Sequence, residues 1–261
     1  MAEHVNEAMF AEERKSAIAQ YIYKNKKSTV SELCALFKVS PATIRNDLTE
    51  LENAGLLKRT HGGAIPNAKA NYELNSSQKK VEHSREKEAI AKRAAAYVED
   101  GDTIALDTGT TTLCLAKELA SKKNLTVVTY DIEIAGFLED NTDADIVLVG
   151  GRVRRGFHCS VGPLALKCLE GLRVDKAFVA SNSVSIDNGL TTPNLELAQI
   201  KTSLVTFAEE AFLLCDSSKF GRASFVRFAD IRQVGTLITD KGLTAQHISE
   251  LEQLGVTVDI A

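Results

Sequence analysis

The chain has 261 residues, 44% of them apolar, which is room for two domains or one large one around a buried core. Its formal charge is -4, so no net field draws the whole molecule to nucleic acid or to an anionic membrane, and any anion binding must be local. The five cysteines are an odd number with no C-x-x-C and no Cys/His cluster of metal-ligand spacing; they read as reduced, mostly buried thiols, and neither a metal nor a cofactor is expected.

No apolar run approaches the roughly 20 residues that span a bilayer, and "MAEHVNEAMF" lacks the basic flank and apolar core of a signal peptide. A cytoplasmic protein with no membrane partner is expected. Two textures meet near Pro66. Residues 1–66 carry nine Lys/Arg and eight Asp/Glu, whereas the remainder carries 22 against 27, so the acidity belongs to the second part. Domains are expected at 1–66 and 81–261, with the polar, turn-rich segment 67–80 as a linker.

In chain order, Ile18, Tyr21 and Ile22 suit a supporting helix. Thr29-Val30-Ser31-Glu32 then fits S/T-x-x-E, a helix start in which the Thr hydroxyl and the Glu carboxylate satisfy each other's backbone amides. Val30, Leu33, Cys34 and Phe37 follow at helical spacing on one face. After Lys38 and Val39, a second start appears, with Ser40 as cap and Pro41 at the first helical position. Ile44, Leu48 and Leu51 face inward from this helix, and Gly55 is its expected stop. Two helices joined by a short turn, over about residues 28–54, make a helix-turn-helix.

A recognition helix offers base-reading groups near its N-terminus, away from the core. Ala42, Asn46 and Thr49 point outward here, flanked by Thr43 and Arg45. "LLKRTHGGA" reads as a β-wing that carries Lys58, Arg59 and His61 to the phosphate backbone. From Lys24 to Ala64 there are seven Lys/Arg against four Asp/Glu, a local excess of three positive charges in an acidic protein. The expected contacts with double-stranded DNA are Ser40, Ala42, Thr43, Arg45, Asn46, Thr49, Lys58, Arg59 and His61. A capped helix pair with a solvated basic wing would look the same.

Beyond Gln78 the rhythm changes. The apolar runs "TIAL", "LTVVT", "DIVLVG", "KAFVAS", "AFLLCD", "TLIT" and "VTVDI" are separated mostly by helix-like stretches, which predicts an α/β domain with a largely parallel sheet. "TIALDTGTTT" places Asp107, Gly109, Thr110 and Thr111 after a strand and before a helix, where free amides and hydroxyls can cradle a phosphate. The same residues would also serve as a Thr-capped turn with no ligand. No nucleotide motif accompanies them. Other strand ends offer Arg152, Glu196 and Lys219, the cations for phosphate and the carboxylate for sugar hydroxyls.

"TVSELCALFKVSPATIRNDLTELENAGLLKRTHGGA" resembles the winged helix-turn-helix of the DeoR family of bacterial sugar-metabolism repressors. "EKEAIAKRAAAYVEDGDTIALDTGTTT", "GGRVR", "SVGP", "DKAF", "GLTT" followed by Glu196, and "DSSKFG" resemble the effector domain of the same family. The resemblance implies an effector fold similar to ribose-5-phosphate isomerase and a sugar-phosphate inducer. Asn46 stands where the family usually has a second Arg, Tyr130 where it usually has Asn, and Ser183 where Gly is usual. The function expected is therefore a DNA-binding repressor of a sugar-utilisation operon, released by a phosphorylated sugar, and at least a dimer because such proteins read paired half-sites. The alternative is a sugar-phosphate isomerase, for which no catalytic signature is present and in which a DNA-reading domain has no role.

Overall fold

The computed structural model describes residues 10–53, 56–66 and 73–261. The chain divides into two compact units between Leu74 and Asn75. Gly55 and residues 67–72 of the expected linker lie outside the described residues, while residues 76–80 of that linker are helical.

The first unit runs α1 (Ala11–Asn25), β1 (Ser28–Thr29), α2 (Val30–Phe37), α3 (Pro41–Asn53), β2 (Leu57–Thr60) and β3 (Gly63–Pro66). The expected capping box opens α2: the Thr29 hydroxyl accepts from the Glu32 amide at 3.2 Å, and the Glu32 carboxylate accepts from the Thr29 amide at 2.8 Å. The Thr29 amide, and after it the Ser28 hydroxyl, donate to that carboxylate and lower the Glu32 pKa. Lys38 turns the chain at φ 53°, and the Ser40 hydroxyl then accepts from the Thr43 amide at 3.1 Å to start α3.

Ile18 and Ile22 from α1, Leu33 from α2, and Ile44, Leu48 and Leu51 from α3 meet in one buried cluster with Leu57 and Ala64. Each large side chain there contributes about 1.5 to 3 kcal/mol by leaving water. The wing is an antiparallel hairpin in which Arg59 faces Ala64 and Thr60 faces Gly63. Strand β1 adds to its other edge, and a Cβ at Gly63 would lie 2.1 Å from the Ser28 carbonyl oxygen, so only glycine admits that third strand.

The second unit begins with α4 (Ser76–Val81) and α5 (Ser84–Ala95). It continues through β4 (Thr103–Leu106), α6 (Thr110–Glu118), β5 (Thr126–Thr129), α7 (Ile132–Asn141), β6 (Asp145–Leu148), β7 (Arg152–Arg154), β8 (Cys159–Val161) and α8 (Pro163–Leu169). It ends with β9 (Val174–Ala180), β10 (Ser183–Ser185), β11 (Gly189–Thr192), α9 (Leu195–Phe207), β12 (Ala208–Leu214), β13 (Val226–Ala229), β14 (Thr236–Thr239), α10 (Ala245–Gln253) and β15 (Thr257–Ile260).

The seven apolar runs of the sequence form one seven-stranded sheet, ordered β15-β14-β12-β9-β4-β5-β6, in which every pairing is parallel. Alternation divides the core in two. On β9, Phe178 packs with Ile90, Leu115 and Leu138 of the helices on one face, while Ala177 and Val179 pack with Leu197, Leu204 and Leu251 on the other. The chain leaves β4 outward through β5 and β6, then returns with β9 on the opposite side of β4. The carboxyl ends of β4 and β9 are thus a topological switch point, the place where open α/β sheets leave a crevice for ligands.

Candidate nucleic-acid interface and effector site

On α3 the residues expected to read DNA separate by depth. Ala42, Arg45 and Asn46 are exposed, and Thr43 and Thr49 are half-buried beside them. Ser40 has its hydroxyl engaged as the helix cap. Lys58, Arg59 and His61 are all exposed on the wing. Arg59 also braces the wing: its amide donates to Glu52 at 2.8 Å and its guanidinium to the Thr49 hydroxyl at 2.6 Å. Thr49 in turn donates to the Arg45 carbonyl at 2.8 Å. The wing and recognition helix are therefore one rigid edge, with the remaining donors of Arg59 beside Lys58.

A second brace escaped the sequence reading. Asp47 is 5% exposed and accepts a fork from Arg14 of α1, at 2.7 Å from Nε and 3.1 Å from Nη2. The hydrogen bond to Asp47 is the main reason the Arg14 pKa rises, and the fork ties α3 to α1. Position 47 falls between the core residues Ile44, Leu48 and Leu51, which is the pattern signal that was available.

In the second unit Gly109 precedes α6 at φ 148°, and no side chain caps that helix. The amides of Thr110, Thr111 and Thr112 are the first three of the helix, which have no intrahelical acceptor. The Thr110 and Thr111 side chains flank them, 8% and 7% exposed, and the Thr112 hydroxyl closes on the Gly109 carbonyl at 3.0 Å. A Cβ on Gly109 would meet the Ala180 side chain at 3.8 Å, so the loop after β4 faces the end of β9 across the switch point. Open amides, a helix dipole and hydroxyls at that place are groups that could hold an anion.

Asp107 lies within this loop, but its carboxylate is fully engaged by the protein. One oxygen accepts from the Thr108 amide at 2.9 Å and from the Tyr130 hydroxyl; the other accepts from the Ala180 amide at 2.7 Å and from Lys201. Lys201 donates further to the Ala180 carbonyl at 2.9 Å. Burial, then the neighbouring Asp107 charge, push the Tyr130 hydroxyl well above its ordinary pKa, which keeps it a donor. The group locks the β4 loop onto β9 and positions the cradle. The Thr108 hydroxyl bonds Asp131, the cap of α7, whose carboxyl is raised by burial.

The other expected residues divide into two places. Arg152 and Glu196 are joined to each other at 2.5 Å, both partly exposed, and no hydrogen bond among the described residues ties either one to the Asp107 loop. Lys219 lies in a short turn after β12, 3.7 Å from Asp216. Asp216 is buried, yet its carboxyl is lowered, because Lys219, the Ser218 hydroxyl, His83 and Lys87 outweigh desolvation. Lys87 and Lys201 were missed by the sequence reading. Both occupy apolar positions of a helical pattern: Lys87 with Ile90, Ala91 and Ala94, and Lys201 between Leu197 and Leu204. A lysine at a core position is a signal in itself, since a buried cation requires a partner. Among the described residues no cluster of His, Cys, Asp and Glu could hold a metal ion, and no helix is long and apolar enough to cross a membrane.

A winged helix-turn-helix followed by an α/β unit with a crevice at its switch point is the architecture of a ligand-sensing DNA-binding regulator. Residues 14–70 match the DeoR-like helix-turn-helix domain and residues 82–241 match the DeoR C-terminal sensor domain. The chain is 37% identical over 250 residues to the HTH-type transcriptional regulator GlpR of Haloferax volcanii, covering 96% of this chain and 98% of that one. It is 33% identical to the HTH-type transcriptional repressor GlcR of Bacillus subtilis, covering 89% and 90%. The chain belongs to the DeoR family of transcriptional regulators. Ribose-5-phosphate isomerase from Methanocaldococcus jannaschii aligns with 51% of this chain and 53% of its own at 22% identity and a TM-score of 0.38, a likeness that carries no argument about ligand or chemistry.

Proposed function

We propose that this regulator is a cytoplasmic repressor of a sugar-utilisation operon, and that it binds operator DNA as a symmetric dimer or higher oligomer until a phosphorylated sugar releases it. In this reading residues 1–66 read the operator and residues 81–261 hold the effector. Arg45 and Asn46 meet base edges, Lys58, Arg59 and His61 meet phosphates, and Ser40, Ala42, Thr43 and Thr49 complete the contact surface. The effector's phosphate rests on the amides of Thr110 and Thr111 beside Gly109, with charge from Lys219. Asp107 shapes that cradle, and the Arg152–Glu196 pair faces the sugar's hydroxyls.

The observation that carries the reading is the start of α6 at the switch point, where three amides and two threonine side chains meet and no side chain among the described residues caps the helix. The name repressor, which GlcR of Bacillus subtilis bears, supports the sign of the response. The test is calorimetry on the parent protein with matched sugars and sugar phosphates. A phosphate ester at 100 times its dissociation constant should stabilise the fold by about 2.7 kcal/mol, and the unphosphorylated sugar should give none of it. Equal binding of both members of a pair would count against an anion site.

A further inference from the structure

Strand β6 closes one edge of the seven-stranded sheet, and no strand among the described residues pairs with its outer side. Its inner side is used at alternate positions: the Asp145 amide donates to the Leu125 carbonyl at 2.9 Å, and the Val149 amide to the Thr129 carbonyl at 2.8 Å. A strand alternates, so the main-chain groups of Val147 turn the same way, toward β5, and those of Ile146 and Leu148 face outward. The side chains at this edge are apolar and open, with Val147 39% and Leu148 48% exposed.

An open edge is usually guarded by a charge within the strand, a proline or a bulge. β15, at the other edge, has such a charge in Asp259. β6 has none of these: its register with β5 is unbroken, and its one charged residue is Asp145 at the first position. Charges of opposite sign lie beyond its two ends instead. Asp140 and Asp143 precede it and are exposed, and Asp143 meets Lys123 at 3.4 Å in a surface pair. Arg152, which holds Glu196, and Arg155 follow it and are exposed, while the Arg154 guanidinium stands 3.6 Å over the Phe157 ring.

We propose that β6 pairs with β6 of a second copy of this chain, antiparallel about a two-fold axis at Val147, which joins the two sheets into one. This rests on the reading of the regulator as a symmetric dimer or higher oligomer, and it locates the contact. In that register Ile146 lies opposite Leu148 of the second copy and exchanges N–H and C=O bonds with it, so the outward main-chain groups of both residues find partners. Val147 meets its own copy as a close, non-hydrogen-bonded pair, and the same patch serves on both sides. Antiparallel pairing also sets the acidic end of each strand beside the basic end of the other, whereas parallel pairing would set like charges together.

Sedimentation velocity on the full chain without DNA tests the contact. The parent should sediment as a dimer or higher oligomer. Val147→Lys sets two ammonium groups against each other at the axis; it should halve the parent's mass and raise the dissociation constant by about 100-fold or more, with the parent's far-ultraviolet spectrum retained. Leu164→Lys, the same kind of change at a 69% exposed residue of α8, should leave the mass unchanged. Under mild oxidation Val147→Cys should give a covalent dimer whose peptide map joins position 147 to itself, because Cα atoms of such a pair stand about 4.5 Å apart, within disulfide reach. A monomeric parent would overturn the dimer reading and the contact together. An oligomeric parent whose mass survives Val147→Lys, and whose Val147→Cys variant does not link position 147 to itself, would overturn the contact alone.

Discussion

Replacing Lys201 by Met tests how the cradle is built. The Lys201 side chain is 3% exposed and Asp107 is 0% exposed, and Met fills most of the volume that the lysine stem occupied. The packing loss is therefore small and the electrostatic loss dominates. Asp107 would keep the Thr108 and Ala180 amides and the Tyr130 hydroxyl, but not its cation. Removing one partner of a buried pair costs about 3 to 5 kcal/mol, because the other charge stays behind without water. For a unit of this size each kcal/mol moves the melting temperature by roughly 2 to 4 °C, so the effector unit should melt about 6 to 20 °C lower in scanning calorimetry. Asp107→Leu combined with Lys201→Met should cost less than the two single changes together, by about 0.5 to 3 kcal/mol. A loss below about 1 kcal/mol for Lys201→Met, or strict additivity in the double variant, would refute the claim that a dry ion pair locks the β4 loop to β9.

Asp47→Ala should destabilise the first unit by about 2 to 3 kcal/mol and weaken operator binding, since it strands the half-buried Arg14 fork; an unchanged melting transition would remove the brace. Arg45→Ala should cost roughly 1 to 3 kcal/mol of operator affinity and relax preference at one base position, whereas Lys58→Ala should weaken all sequences alike and reduce the salt slope by about 1. Equal salt slopes for parent and Lys58→Ala would take Lys58 off the phosphates. Stability should rise with pH between about 8 and the ordinary lysine value: Lys87 is lowered in the folded chain, so there the unfolded state binds more protons. The gain is at most about 3 kcal/mol, and Lys87→Met should remove it; a pH profile identical in parent and variant would deny that Lys87 is buried as a cation.

Much of this architecture was legible because its signals are local. Thr29 and Glu32 announced a capping box three residues apart, Ser40 and Pro41 a second start, and seven apolar runs became the seven strands of one sheet. The small antiparallel elements, β7 with β8 and β10 with β11 and β13, were not read, since their three or four residues carry too little pattern to stand out from loops. The segment assigned to a linker holds all but the last residue of α4, whose Asn75 cap is visible in sequence but whose hold comes from Lys87 on the next helix and from Glu133 and Gly156 far along the chain. Strand-end residues such as Asp107 and Lys219 stood out as candidates because open α/β sheets hold ligands at the carboxyl ends of their strands. Which oxygens are already taken was not legible: the partner of Asp107 is a lysine 94 residues away on α9, and no local rule joins them.

The central claim is that an anion at the start of α6 releases DNA held by the first unit. The measurement is fluorescence anisotropy of a duplex that the protein has itself enriched from a random pool, titrated at fixed salt with increasing sugar phosphate, for the parent and for Thr110→Ala with Lys219→Ala. The account predicts that the parent lets go of the duplex at some phosphate ester in the set, while the double variant binds the duplex as tightly and holds it throughout. Release of the double variant at the parent's effector concentration would place the effector elsewhere and contradict the account.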